Sequence, residues 1–77
     1  MKLTDEQKEI MKEDMTEELI TMLMASRHYS MNEAMDVLYN SDTFSRLEDE
    51  NTGLYYQSPG YVYSYLNQEL TTGDYRS

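Results

Sequence analysis

Helix-start signals recur along this 77-residue chain, and they constrain its fold more than any other feature. Thr4 and Gln7 have the spacing of a capping box, in which each side chain hydrogen-bonds the other residue's backbone amide. Ser30 and Glu33 repeat the pattern. Apolar residues at helical spacing follow both boxes, so the sequence predicts a small all-α domain, a bundle of three to four helices.

The two capping boxes start helices of different length. The first helix is predicted over about residues 5–26, with a break or bend near Asp14, where a second cap signal falls. The second helix follows Ser30, and Asn40 is predicted to end it in the left-handed conformation. The apolar positions of the two helices are Ile10, Met11, Met15, Leu19, Met22 and Leu23, and then Met31, Ala34, Met35, Val37 and Leu38.

The middle of the chain carries weaker helix-cap and turn signals. Ser41 or Asp42 can cap a short third helix that ends near residue 47, with Phe44 and Leu47 as its apolar residues. A turn follows, in which Gly53 is free to adopt a positive φ. Residues 54–56 are predicted to be extended.

The C-terminal segment is predicted to form a helix over residues 59–70. Ser58 suits the N-cap and Pro59 the first helical position. The alternative is a strand over residues 61–65, where tyrosine and valine alternate with other residues. The helix is preferred because no second strand is available for pairing. Residues 1–70 are therefore expected to form one domain, followed by a flexible polar tail at residues 71–77.

The charge balance restricts the classes of partner. With 6 basic and 15 acidic residues the formal net charge is -9, which disfavours binding to nucleic acid and to anionic membranes. The apolar run at residues 19–25 is shorter than the roughly 20 residues that span a bilayer, and acidic rather than basic residues precede it. We therefore expect no signal peptide and a cytoplasmic location.

Catalytic and metal-binding patterns are not found in the sequence. It has no Cys and one His, His28, which is expected to be a surface residue at a helix end. The acidic turn at residues 49–53 lacks the glycine position and the closing glutamate of a calcium loop. A helix-turn-helix built from the second and third helices would present Asp42 and Glu48 against a single Arg46 to DNA. We expect no enzyme, no cofactor and no DNA-binding regulator.

Tyrosines crowd the last third of the chain. A domain this small cannot bury them all, and tyrosine is enriched at protein interfaces. Methionines at helical spacing are expected to fill the core, with an adaptable binding groove as the alternative. The sequence predicts an interaction surface, either for self-association as a dimer or for another protein. Its residues are Tyr55, Tyr56, Tyr61 and Tyr65.

A resemblance covers residues 30–70 and is most specific in the block Thr52-Gly53-Leu54-Tyr55-Tyr56-Gln57-Ser58-Pro59. The block continues through Gly60-Tyr61-Val62-Tyr63, and the resemblance also includes Ser30-Met31-Asn32-Glu33-Ala34-Met35, Tyr39-Asn40-Ser41 and Leu47-Glu48-Asp49. These segments are similar to a family of small bacterial proteins of unknown function that occurs in Firmicutes and other gut bacteria. Related small proteins are sometimes encoded beside toxin-like proteins, including ADP-ribosyltransferase-like ones. The resemblance implies a mostly helical cytoplasmic protein and defines no catalytic residues.

The sequence therefore predicts a non-catalytic protein-binding module that associates with itself or with the product of a neighbouring gene. The alternative function, which the resemblance implies, is an antitoxin or regulatory partner of a neighbouring toxin-like protein.

Overall fold

The structure, a computed structural model, describes residues 3–72 and confirms the all-α prediction. Within that range it contains four α-helices, two 3₁₀ turns and no strand. The helices are α1 (Asp5–Arg27), α2 (Met31–Tyr39), α3 (Asp42–Glu48) and α4 (Pro59–Thr72). The 3₁₀ turns, Glu50–Thr52 and Leu54–Tyr56, join α3 to α4. The strand alternative for residues 61–65 is wrong, because α4 runs through them.

Helix α1 begins at the predicted capping box. The amide N–H of Gln7 donates to Thr4 Oγ1 at 3.0 Å, and the amide N–H of Thr4 donates to Gln7 Oε1 at 2.9 Å. The helix continues through Asp14, so the predicted break is wrong; the next residue, Met15, is buried in the core. His28 ends α1 with a left-handed φ of 59° and lies exposed, as predicted.

Helices α2 and α3 follow each other almost directly. Ser30 starts α2 with the predicted capping box, and Ser41 caps α3 by accepting from the amide of Phe44 at 3.0 Å. Asn40 is not left-handed, with a φ of -98°, so that prediction is wrong. Its backbone and side-chain N–H groups both donate to the carbonyl of Asp36, and the next residue already caps α3.

The segment after Gly53 is compact rather than extended. Gly53 has the predicted positive φ, 72°. The amides of Tyr56 and Gln57 then donate to the carbonyls of Gly53 and Leu54, at 3.3 and 3.1 Å, which makes the second 3₁₀ turn. The predicted extended conformation is wrong because this turn packs against α1.

The core lies between α1 and the other helices. Its buried apolar side chains are Met15, Leu19, Leu23, Ala34, Leu38, Leu47, Leu54, Tyr55, Val62 and Leu66. Ile10 and Met31 were expected on the apolar faces of α1 and α2, but more than half of each side chain is exposed. Each residue lies near the start of its helix, where no other described part of the protein covers its side chain. Thr71 and Thr72 belong to α4 rather than to the predicted tail, and residues 73–77 lie outside the described range.

The cap of α4 supplies a first test of the fold. The amide N–H of Tyr61 donates to Ser58 Oγ at 3.2 Å, so Ser58 caps this helix as predicted. Ser58→Ala should cost about 1 kcal/mol, as the loss of an N-cap usually does. That loss should lower the melting temperature, followed by circular dichroism, by about 4–8 °C for a domain of this size. Ser64→Ala is the matched control, since the Ser64 hydroxyl donates only to a carbonyl within α4. Equal melting temperatures for wild type and Ser58→Ala would contradict the cap.

Candidate functional site

The four tyrosines predicted as one interaction surface are divided between the core and two separate surfaces. Tyr55 is only 7% exposed and belongs to the core cluster, so its assignment to the surface is corrected. The second 3₁₀ turn, which packs against α1, causes this burial. Tyr56 is exposed and packs edge-to-face on Tyr55, at a ring-centroid distance of 5.1 Å. Tyr61 and Tyr65 lie exposed on α4.

The outward-facing side of α4 carries no charge. This α4 outer face consists of Gly60, Tyr61, Ser64, Tyr65 and Gln68, all of them exposed. The rings of Tyr61 and Tyr65 pack edge-to-face at 5.2 Å, and their hydroxyl oxygens lie 3.0 Å apart in a hydrogen bond. That hydrogen bond raises the pKa of Tyr61 above its ordinary value. Two half-exposed rings therefore hold each other in one orientation.

The charged residue of α4, Glu69, points towards α3 instead. Its carboxylate accepts from the amide of Asp42 at 2.8 Å, and from the amide and hydroxyl of Thr43 at 3.0 and 2.8 Å. A carboxylate suits the amide groups at the start of a helix. Sequence reasoning missed this contact because Glu69 lies far from α3 along the chain. The sequence did indicate that Glu69 lies on the packed side of α4, because it follows the core residue Leu66 by three positions.

An open groove of about 400 Å³ lies between α1 and the α2–α3 junction. This acidic groove is lined by Glu9, Lys12, Glu13, Thr16, Glu17, Tyr39, Phe44 and Glu48. The rings of Tyr39 and Phe44 pack edge-to-face at 5.0 Å, and nearly half of Tyr39 is exposed. Glutamates therefore surround an aromatic pair.

The cation in the acidic groove is already paired. Lys12 is 6% exposed, and its Nζ lies 2.9 Å from Glu9 Oε2 and 3.4 Å from Glu50 Oε2. The hydrogen bond with Glu9 raises the pKa of Lys12 above its ordinary value. Lys8 forms a second ion pair with Glu50, at 3.4 Å. Both lysines therefore compensate glutamates of the protein itself.

Sequence reasoning missed the acidic groove. The glutamate side of the groove could have been predicted. Glu9, Glu13 and Glu17 recur every four residues and so form a stripe on α1. The aromatic side, Tyr39 and Phe44, comes from a different part of the chain. No local pattern indicates that these rings face that stripe.

Residues 3–72 present neither a metal-binding cluster nor a membrane-spanning helix. No group of His, Asp or Glu side chains in this range is arranged to hold a metal ion. None of its helices has both the length and the apolar character needed to cross a bilayer.

Comparisons with protein-family models, with curated proteins and with solved structures found no match to this chain. The resemblance of residues 30–70 to a family of small bacterial proteins therefore stays a prediction.

Proposed function

We propose that this protein is a non-catalytic interaction module that binds a basic segment of another protein in the acidic groove. The observation that carries the proposal is the combination of four glutamates with an aromatic pair, of which Tyr39 is exposed, around one opening. The single lysine that lines the groove is bound to two glutamates.

Two glutamates of the acidic groove remain available to bind a basic side chain of a partner protein. The side chains of Glu13 and Glu17 make no hydrogen bond or ion pair within residues 3–72. They lie one turn apart on α1, so their carboxylates stand side by side along the groove. Carboxylates arranged in this way suit two successive basic side chains. The net charge of -9 also accelerates the approach of a basic partner.

The aromatic pair adds a second contribution. A guanidinium or ammonium group over the face of a tyrosine or phenylalanine ring is attracted by the negative charge on that face. Tyr39 lines the groove together with Glu48, so one arginine could contact a ring and a carboxylate at once. Arginine stacks on rings better than lysine does, so we expect arginine-rich segments to bind more tightly.

The proposal is tested with a labelled hexapeptide of alternating arginine and lysine, whose binding is followed by fluorescence anisotropy. We expect saturable binding that weakens as salt is added, because exposed charges are screened. The double variant Glu13→Gln/Glu17→Gln should bind about tenfold more weakly, since two exposed charge contacts of about 0.5–1 kcal/mol each are lost. An unlabelled peptide with citrulline and norleucine in place of the basic residues should not compete.

A matched control distinguishes binding in the acidic groove from general electrostatic attraction to the negatively charged protein. Asp14→Asn/Glu18→Gln removes the same charge from α1, one position further along, from residues that do not line the acidic groove. We expect this variant to bind within about threefold of wild type, because only screened long-range attraction is reduced. Equal weakening by the two double variants would show that the peptide senses net charge alone. That result, or a failure of the peptide to bind wild type, would overturn the proposal.

A further inference from the structure

A second groove adjoins the acidic groove along α1. This apolar groove has a volume of about 390 Å³ and is lined by Glu17, Ile20, Thr21, Met24 and Met31. Met31 is 57% exposed, while Ile20 and Met24 are half-buried against the core. Most of the lining is therefore apolar, and nothing within residues 3–72 covers it.

The acidic and apolar grooves form one strip along α1, because Glu17 lines both of them. The strip includes Glu9, Glu13, Glu17, Ile20 and Met24 of this helix. At about 100° per residue, these five positions fall within a sector of about 80° around the helix axis. At about 1.5 Å per residue, the strip is about 22 Å long. Carboxylates therefore line one end of it, and apolar side chains line the other end.

We propose that the partner of the acidic groove is an amphipathic helix that occupies this whole strip. Two basic side chains of that helix, one turn apart, contact Glu13 and Glu17. Two large apolar side chains, one turn further along and one turn apart, enter the apolar groove. The inference rests on the proposed function, since it names the residue pattern of the basic segment that the acidic groove binds.

The charges of the strip select this partner. Glu13 and Glu17 are exposed, and each needs a basic group if it is to be covered without loss. A second copy of this chain would bring a further net charge of -9 towards them and would be repelled. A wholly apolar segment would leave both carboxylates uncompensated, and a wholly basic one would leave the apolar groove in water. A segment that carries both kinds of side chain satisfies both ends.

The spacing of the strip fits a helix better than an extended segment. From Glu13 through Glu17 and Ile20 to Met24, the mean step along α1 is about 5.5 Å. A partner helix presents one side chain per turn of about 5.4 Å, so its side chains stay level with these groups. An extended segment presents side chains on one face about every 6.7 Å and loses register over the same length. Docking of an amphipathic helix into a groove is a recurring mode of recognition.

The methionines of the apolar groove suit apolar side chains of more than one shape. Methionine is unbranched and has three rotatable bonds, so Met24 and Met31 can adapt to leucine, isoleucine or phenylalanine. The apolar groove therefore requires large apolar residues in the partner without requiring one particular type. The carboxylates at the other end decide where along the strip those residues lie.

The test uses a labelled peptide of about 16 residues, which as a helix has the length of the strip. Two arginines one turn apart and two leucines one turn apart share one helical face, and alanine and glutamine fill the remaining positions. A control peptide of identical composition carries the leucines on the opposite face. Fluorescence anisotropy should show about tenfold tighter binding of the first peptide, because only its leucines can be buried. Circular dichroism should show that its helicity rises on binding.

Two variants of the protein locate the apolar contact. Met31→Gln should weaken binding of the amphipathic peptide about fivefold, because an apolar contact is replaced by a polar amide. It should leave binding of the basic hexapeptide unchanged, since Met31 does not line the acidic groove. Ile10→Gln is the matched control, because Ile10 is 53% exposed and lines neither groove. Both variants should keep wild-type helicity, and Ile10→Gln should bind the amphipathic peptide like wild type.

The outcomes separate this inference from the proposed function. Equal affinity of the two peptides for wild type would overturn the inference, as would equal weakening by Met31→Gln and Ile10→Gln. In both cases binding of the hexapeptide would still support the proposed function. A proline in the middle of the amphipathic peptide should remove its advantage, because proline breaks a helix. An unchanged affinity would show that the segment binds extended and that the partner helix is wrong. Failure of the hexapeptide to bind overturns the proposed function and the inference together.

Discussion

Leu66→Ala is expected to remove about 3 kcal/mol from the free energy of unfolding, which is a large fraction of the stability of so small a domain. Leu66 is completely buried in the core. Truncating such a leucine costs about 2–5 kcal/mol, through lost burial and the cavity left behind. A domain of this length has a total stability of about 4–12 kcal/mol. Urea denaturation followed by circular dichroism measures the change.

The neighbouring residue is the control for Leu66. Tyr65→Ala removes a larger side chain, but one that is partly exposed on the α4 outer face. We expect it to cost about 1 kcal/mol, mainly the edge-to-face contact with Tyr61. If the two variants lost equal stability, Tyr65 would be a core residue and the α4 outer face would lose its aromatic surface.

Tyr55→Ala is expected to destabilise the domain by about 3 kcal/mol, whereas Tyr56→Ala should cost about 1 kcal/mol. The two tyrosines are adjacent in sequence, but Tyr55 is buried in the core and Tyr56 is exposed. Truncating a buried aromatic residue to alanine costs about 3–5 kcal/mol. Losing an edge-to-face ring contact costs about 0.5–1.5 kcal/mol. The same urea experiment compares the pair.

An unchanged stability of Tyr55→Ala would contradict the buried position of Tyr55. If Tyr55→Ala kept its stability and reduced binding to a partner, the surface role predicted from the sequence would be right. The packing of the second 3₁₀ turn against α1 would then be wrong. A clearly larger loss of stability for Tyr55→Ala than for Tyr56→Ala would confirm the buried position.

The helix starts could be predicted because their determinants are local. The partners of Thr4, Ser30, Ser41 and Ser58 in the caps all lie three residues further along the chain. Such hydrogen bonds depend on residue type and spacing alone. The positive φ of Gly53 is local in the same sense, since glycine adopts this conformation without steric cost.

The candidate surfaces could be predicted only in part. Composition indicated that some tyrosines must be exposed, and Tyr56, Tyr61 and Tyr65 are. It could not indicate that Tyr55 is buried, because that depends on where the second 3₁₀ turn meets α1. The acidic groove was missed for a similar reason, since its glutamates and its aromatic rings come from different helices.

The sequence by itself therefore determined the helical class and where each helix begins, through contacts between residues three or four positions apart. Tertiary structure alone decided which side chains are buried and which polar and charged groups meet across long distances in the sequence. Glu69 reaches Asp42 and Thr43, and Lys12 reaches Glu50, across separations of 26 residues or more. Such pairs meet only after the helices have packed, because burial of the apolar core sets their relative positions.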